Sequence, residues 1–485
     1  AEGRTTRYAH DAAGRLVTTT FPLGSTEHVG YDAAGNVVSR IDRNGVQTLI
    51  DLDPLGRPVQ ETVGGDPVLA VTYSATGQQT SITDPSGTVA LAYDPAGRPT
   101  QVANATGAAL ADAYDAAGNR TSMQARPIPG GPALTTTYTY DAASRMASVQ
   151  APDGALVALV YDAAGRRQTT DRSNGTTTSY TYDARHRTTS IVHERGGTVL
   201  GSMAYARDAA GNPTSITEAD GGVSSYTYDA LDRVISEDHR RSDASTILAA
   251  GYVYDAVSNR IASTDAGGTT TWTYDDDDRL VTRDDGTSWT YDTAGRQLSR
   301  SEAAGTQLLG YDRRGLLTNS RSVSGTSTTH ALDALGNRVG EGNRTLLVDP
   351  FAPTGVPEVV AEHQDGTVLA TYTHSAHGLE VQSVAGTVSF VHADELGSTR
   401  LLTDQAGAVV GEARWSAFGE PLQDTLPADV RHRFTGERQS ASTGLVHLRA
   451  RQYDPAAGRF TSVDPDVGTL TAPDSRHPYL YAEAN

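Results

Sequence analysis

The stretch YDDDDR, Tyr274 to Arg279, sets four aspartates side by side and is the densest run of hard oxygen ligands in the chain. A calcium loop of the EF-hand kind alternates its carboxylates, turns on a glycine at its sixth position and closes on a glutamate at its twelfth. Asp275 to Asp278 show neither feature, so the run reads as a charged, solvated turn. In HSAH, His374 and His377 stand three apart, but no third ligand with metal-site spacing follows, and no metal is expected. GxSxG, HExxH and the P-loop pattern are all missing, which removes the commonest local signatures of hydrolases, zinc peptidases and nucleotide-binding enzymes. Nothing calls for a cofactor.

Tyrosine is the aromatic residue of choice, with 22 copies against 6 Phe and 3 Trp. Rings on an exposed sheet can stack on sugars; the competing use is cross-strand packing that fixes register. Position decides between them. Tyr31, Tyr140, Tyr161, Tyr182, Tyr228, Tyr254, Tyr274 and Tyr291 each stand directly before an aspartate. Tyr138, Tyr180, Tyr226 and Trp289 lie two residues earlier in their copies, which puts both rings on one face of a strand. Such locking to one position favours the structural use.

The motif behind this spacing is YxYDxxGR. Its turn residue recurs sixteen times between Asp11 and Asp333, once as Ser74, and eleven of the fifteen intervals are 20 or 21 residues. In Asp32 with Gly35, Asp94 with Gly97, Asp115 with Gly118, Asp162 with Gly165 and Asp292 with Gly295, the aspartate opens a type I turn and accepts its own backbone amides. The glycine takes the left-handed position of a three-residue hairpin loop. Ser144 replaces that glycine in TYTYDAASR, so a distorted tip is expected at Asp141.

A second turn signal follows each tip by about ten residues, as in DRNG at Asp42 and DPSG at Asp84, so each copy carries two strands of roughly six or seven residues. Sixteen copies make some thirty strands in one antiparallel meander. At about 4.8 Å per strand such a ribbon is on the order of 150 Å wide, and open sheets of that size must curl. The expected fold is all-β, a hairpin meander coiled around an interior. A β-propeller is the alternative, since two copies match the size of one blade. The 26-, 25- and 17-residue intervals do not fall in pairs, and no WD or kelch signature appears, which favours the coil.

The formal charge is −19 and every basic side chain is Arg, so the surface repels nucleic acid and anionic lipid. No cysteine is available for a disulfide, and no run is apolar enough for a membrane span. AEGRTTRYAHDAAGR begins mid-repeat, without the shape of a signal peptide, and reads as a start inside a longer polypeptide.

After HALDALGNRVG the regular spacing stops, dividing the chain into a repeat region, 1–345, and a second region, 346–485. The second region carries DELGSTRLLTD, WSAFGE, RFTGE, TGLVHLRARQYDPAAGRF and LYAEAN in that order. These blocks resemble the RHS-associated core domain, and the repeats resemble the YD repeats of RHS proteins, tripartite-toxin C components and teneurins. The resemblance implies a hollow spiral shell, a β-cocoon, with the core domain closing one end. It also implies a variable C-terminal segment, often a toxin, held inside. The partners it implies are that C-terminal toxin domain, an immunity protein and a secretion-system component. A teneurin-like or wall-associated adhesin that binds cell-surface glycans is the alternative. Either role places the protein outside the cell, secreted or at the surface.

Toxin-carrying members of the family cleave themselves with core-domain carboxylates, a chemistry that needs two acids sharing a proton. By position Asp464 in SVDPD matches one of them, and Asp474 is the candidate for the second; Asp464 reads equally well as a capping residue in a DP turn. The sequence ends at Asn485, before the family's NPxxxxDPxG segment. Self-cleavage is therefore an expectation for a longer polypeptide.

Overall fold

A computed structural model describes residues 3–465 and 477–481. Forty strands, from Arg7–His10 to Pro421–Asp424, form one antiparallel sheet whose ladder links each strand to its neighbours in sequence. Thirty-two of them lie between Arg7 and Glu341. The ladder continues through Gly340↔Thr345 and Glu341↔Arg344 into the strand Arg344–Asp349. The first and last strands do not pair with each other, so the sheet is a spiral rather than a closed barrel. A single ladder also leaves no separate blades for a propeller.

Each tyrosine strand carries a register shift just before its turn aspartate, at Gly30/Tyr31, Val160/Tyr161, Thr181/Tyr182 and Thr227/Tyr228 among others. A bulge of this kind bends its strand and adds right-handed twist. Repeated at every second strand on the same rim, these increments coil the ribbon.

Contacts between distant segments show how tightly it coils. Arg313 meets Asp66 across 247 residues, and Arg120 meets Asp349 across 229. Further along, Arg172 meets Glu380 across 208 residues, and Arg400 meets Glu218 across 182. The spiral narrows toward its C-terminal end. Early contacts join hairpin tips; later ones join strand centres, where Arg172, Thr178 and His193 of one winding face Glu380 and His392 of the next.

The largest apolar cluster spans both windings. Val149 and Val157, fully buried, pack with Leu110 and Ile82 and with Leu347, Ala361, Val381 and Phe390 from the later winding. Each of these Val, Leu, Ile and Phe side chains contributes about 1.5–3 kcal/mol relative to exposure. A small four-stranded sheet, Arg438–Gln439, Val446–Leu448, Arg451–Asp454 and Arg459–Phe460, folds back over the narrow end. Its Asp454 pairs with Arg300 at 2.9 Å, and the Tyr479 hydroxyl donates to the Gly295 carbonyl at 2.8 Å.

The distorted tip expected at Asp141 does not occur. Ser144 adopts the left-handed φ of 59° directly, and the hydrogen bonds of its tip match those at Asp162 to within 0.1 Å. His186, Asp232, Ser258 and Asp278 do the same in their copies. A left-handed non-glycine residue costs roughly 1–2 kcal/mol. The bonds that converge on the turn aspartate offset that cost, so glycine is favoured at the tip without being required.

Candidate functional site

The repeat residues assemble into a rail along one rim of the sheet. Asp162 accepts the backbone N–H groups of Ala164 and Arg166 at 2.9 Å. It also takes the Arg166 guanidinium on its second oxygen, at 2.7 Å from Nε and 2.6 Å from Nη2. These donors, the Arg166 side chain first, hold its carboxyl below the usual value. Arg166 then reaches the next copy: its guanidinium lies 4.6 Å from the centre of the Tyr182 ring. The Tyr182 hydroxyl closes the link by donating to the Arg167 carbonyl at 2.7 Å.

The same link recurs from Arg15 to Tyr31, Arg145 to Tyr161 and Arg233 to Tyr254. Tyr140, Tyr228 and Tyr274 likewise donate to carbonyls of the preceding copy, those of Arg120, Pro213 and Arg260. Tyr291 differs, packing beside Trp272 and Trp289 and against Tyr479. Where the fourth residue after the aspartate is Asn, as at Asn36 and Asn119, its amide binds Asp32 or Asp115 at 2.9 Å. Gly35, Gly97, Gly118, Gly165 and Gly295 all have left-handed φ between 81° and 95°. At Gly295 a side chain would also collide with Val463 and Tyr479 of the closing segment. The Arg/Asn position closes the motif in the sequence, four residues after nearly every turn aspartate, but sequence reasoning gave it no role.

Only Asp276 of the aspartate run is solvated. Asp275 holds Arg279 and Asp278 holds Arg4, while Asp277, 7% exposed, accepts from Arg43 and from the Leu23 backbone. The run clamps two windings together with guanidinium groups in place of a cation. His374 and His377 also part company: His374 sits 3.7 Å from Glu358, whereas His377 approaches the Tyr161 hydroxyl of the other winding. Among the described residues, no group of three His, Asp or Glu is arranged to hold a metal.

Buried charge concentrates where the windings meet. Arg120 lies between Asp112, at 3.0 Å, and Asp349, at 2.7 Å; all three are buried. The Asp112 contact is poorly aligned for a hydrogen bond. Burial pushes its carboxyl up to about 7 against the pull of Arg120, with Asp349 adding to the rise. Glu362, with none of its side chain exposed, holds Arg438 and Arg344 at 2.7 Å and Tyr372 at 2.6 Å. Burial opposes its charge, but Arg438 foremost, then Tyr372 and Arg344, bring it down to about 2. His193, His392, His432 and His447 are kept neutral by burial, well below the usual histidine value.

Asp464 lies beside the small sheet. Its carboxylate meets Arg451 at 2.6 Å, its backbone N–H donates to Pro478 at 2.8 Å, and Arg451 covers the Phe460 ring at 3.5 Å. Asp474 lies outside the described residues. A cleft of about 510 Å³ opens between the windings, walled by Tyr226, Tyr228, Trp415 and Phe434 with Arg400 and Asp394 among its charged groups. Burial raises Asp394 to about 6.

Comparison with known proteins places this architecture. The Teneurin YD-shell family matches residues 157–482, and the RHS Repeat family matches 1–26 and 73–109. The tRNA3(Ser)-specific nuclease WapA of Bacillus spizizenii is 28% identical over 162 residues, 32% of this chain and 7% of that protein. Teneurin-1 of Gallus gallus is 28% identical over 166 residues, 33% of this chain and 6% of that protein. The chain thus spans a small fraction of the length of these relatives. Among solved structures, the TcdB2-TccC3-TEV crystal structure matches the whole chain at 17% identity with a TM-score of 0.56, over 34% of its own length. The Photorhabdus luminescens Tc holotoxin pore matches it at 16% identity with a TM-score of 0.57, over 33% of its own length. These likenesses are of fold. With a rail of YD tips along a spiral sheet and a family match over most of its length, the chain belongs to the Teneurin YD-shell family.

Proposed function

We propose that this chain is the shell portion of a longer secreted or cell-surface toxin protein, and that the spiral encloses an effector segment and keeps it from acting too early. The narrowing of the spiral from 247 to 182 residues per contact carries this reading, because such a sheet closes at one end and stays open at the other. The small sheet over the narrow end supports a capping role for the C-terminal part of the second region, 346–485, whose strands up to Asp424 continue the wall begun by residues 1–345. The effector domain is the chief partner, with an immunity protein and a secretion-system component acting before and after release. Limited proteolysis of the full-length protein tests the idea. The C-terminal segment is expected to resist protease in the assembled protein and to be cut when isolated; equal sensitivity in both states overturns it.

In the same reading Asp464, oriented by Arg451, serves with Asp474 in self-cleavage of the longer polypeptide. Asp464→Asn in that polypeptide is expected to stop cleavage, and unchanged cleavage removes Asp464 from the mechanism.

The inter-winding cleft favours a second reading, carbohydrate recognition at a cell surface. The repeat tyrosines are engaged by arginines and carbonyls, whereas Tyr226 and Trp415 face a cavity of ligand size beside charged groups. Glycan binding that Tyr226→Ala removes and Tyr182→Ala leaves intact supports this use; no glycan binding by the full-length protein dismisses it.

A further inference from the structure

The strands Val223–Tyr228 and Val234–Arg240 run antiparallel, with Ser224 opposite His239 and Tyr226 opposite Glu237. Alternation along each strand puts these four side chains on one face of the sheet. Ser224 and Tyr226 line the inter-winding cleft of about 510 Å³. His239 and Glu237 are buried beside them, with 3% and 0% of their side chains exposed.

Three of the four form a relay. Ser224 Oγ lies 2.7 Å from His239 Nδ1, and His239 Nε2 lies 2.7 Å from Glu237 Oε2. Burial opposes the Glu237 charge, but His239 foremost, then the Tyr252 hydroxyl and the Ala417 N–H, hold its carboxyl below the usual value. An ionised Glu237 can only accept, so Nε2 carries the ring proton and Nδ1 turns a lone pair to the serine hydroxyl. The ring is reversed relative to chymotrypsin, where Nε2 meets the serine, yet either way a carboxylate orients an imidazole lone pair toward a hydroxyl. Tyr226, kept protonated by burial, hydrogen-bonds Ser224 and sets its ring edge-on to His239 at 5.6 Å. A hydroxyl has one proton and two lone pairs; with the proton on His239 and one pair engaged by Tyr226, one pair remains to attack.

The Ala417 N–H, at 2.8 Å, is enough to tie Glu237 to the next winding; the serine at the other end of the relay faces a space of ligand size. Arg400 and Arg414 line the same space and bring positive charge to it. Arg414 Nη2 holds Asp220 at 2.6 Å, and a side chain at Gly222, two residues before Ser224, would meet Arg414 Nη1 at 2.9 Å. Ile216, Trp415 and Phe434 supply apolar wall.

We propose that Ser224, His239 and Glu237 are the nucleophile, general base and orienting carboxylate of an esterase site that takes carboxylic esters with an apolar acyl group. This activity goes beyond the role of a shell and does not depend on glycan binding in the same cleft. Ser224 Oγ bonds to the ester carbonyl carbon as its proton passes to His239 Nδ1, and the arginines oppose the charge that gathers on the carbonyl oxygen. The bond from that carbon to the alkoxy oxygen breaks, and the alcohol leaves with the proton from Nδ1. Water then attacks the acyl-serine by the same route, which releases the carboxylic acid and restores Ser224.

Hydrolysis of p-nitrophenyl butyrate by the whole chain, together with fluorophosphonate labelling read by peptide mass spectrometry, tests this. The parent is expected to release p-nitrophenol faster than buffer alone and to carry one label, on Ser224. Ser224→Ala is expected to lose both, and His239→Gln to lower kcat by about 100-fold, as the loss of a general base does. Glu237→Gln, at a position that touches no substrate, should lower kcat with KM unchanged. Ser224→Ala removes a single oxygen, so it carries the test if a change at His239 or Glu237 unfolds the chain. Equal hydrolysis by parent and Ser224→Ala, a label on another residue, a Glu237→Gln effect confined to KM, or a parent no faster than buffer would each overturn the proposal.

Discussion

Along the rim of the first winding and at the closed end, arginines meet carboxylates in opposite surroundings. On the rim, Arg166 and Asp162 keep 28% and 22% of their side chains exposed, lie four residues apart, and are repeated many times. At the closed end, Arg438 and Glu362 are 9% and 0% exposed, lie 76 residues apart, and occur once. Exposed pairs contribute at most about 1 kcal/mol each because water screens them. Breaking a buried pair strands a charge and costs about 3–5 kcal/mol. The shell therefore gains its wall by accumulation of weak local links and its closure from a few contacts that tolerate little change.

Several substitutions can break or sharpen this contrast. The largest effect is expected from Glu362→Ala, which leaves Arg438 and Arg344 without their shared carboxylate. Denaturant unfolding should show a loss of about 3–5 kcal/mol in the transition of the closed end. Adding Arg438→Ala should recover part of it, because the stranded charge goes with its residue.

Next comes Asp112, whose folded-state value of about 7 stands above its ordinary 3.8. A carboxyl raised on folding adds stability that is complete below about pH 4 and is lost as pH rises through 7. Relative to Asp112→Asn, the parent should lose roughly 4 kcal/mol between pH 4 and pH 8, from about three pH units at 1.36 kcal/mol each. Parallel pH profiles for the two proteins would remove Asp112 from the account.

On the rim the effects shrink. Tyr182→Phe deletes one hydroxyl-to-carbonyl bond and should cost about 1 kcal/mol by calorimetry, with the other rail links unchanged. Ser144→Gly should act the other way, stabilising by up to about 1 kcal/mol as the left-handed strain is relieved. A destabilised Ser144→Gly protein would mean that the serine side chain does more at this tip than fill the position.

The local rules of the wall were legible in the chain because each is written within a few residues. Tyr before Asp sets the strand face, Asp and the left-handed residue set the tip, and the period sets the number of strands. The rail was missed because its message lies between copies: Arg166 acts on Tyr182, a neighbour only once the sheet has formed. The clamp at Asp275 to Asp278 was read as solvated because its partners, Arg4, Leu23 and Arg43, stand more than 230 residues away in sequence. The histidines of the second region stood in the sequence without a role, and only packing shows that His392 and His432 are buried and neutral.

The central claim is that the ribbon coils until its windings touch. A chain without cysteine allows two labels to be placed alone, and spin labels at Asp66→Cys and Arg313→Cys would report the distance between two tips 247 residues apart. The account predicts contact range, a separation no greater than the two label arms. A separation near 110 Å, about 23 strands at 4.8 Å in an uncoiled ribbon, would contradict it.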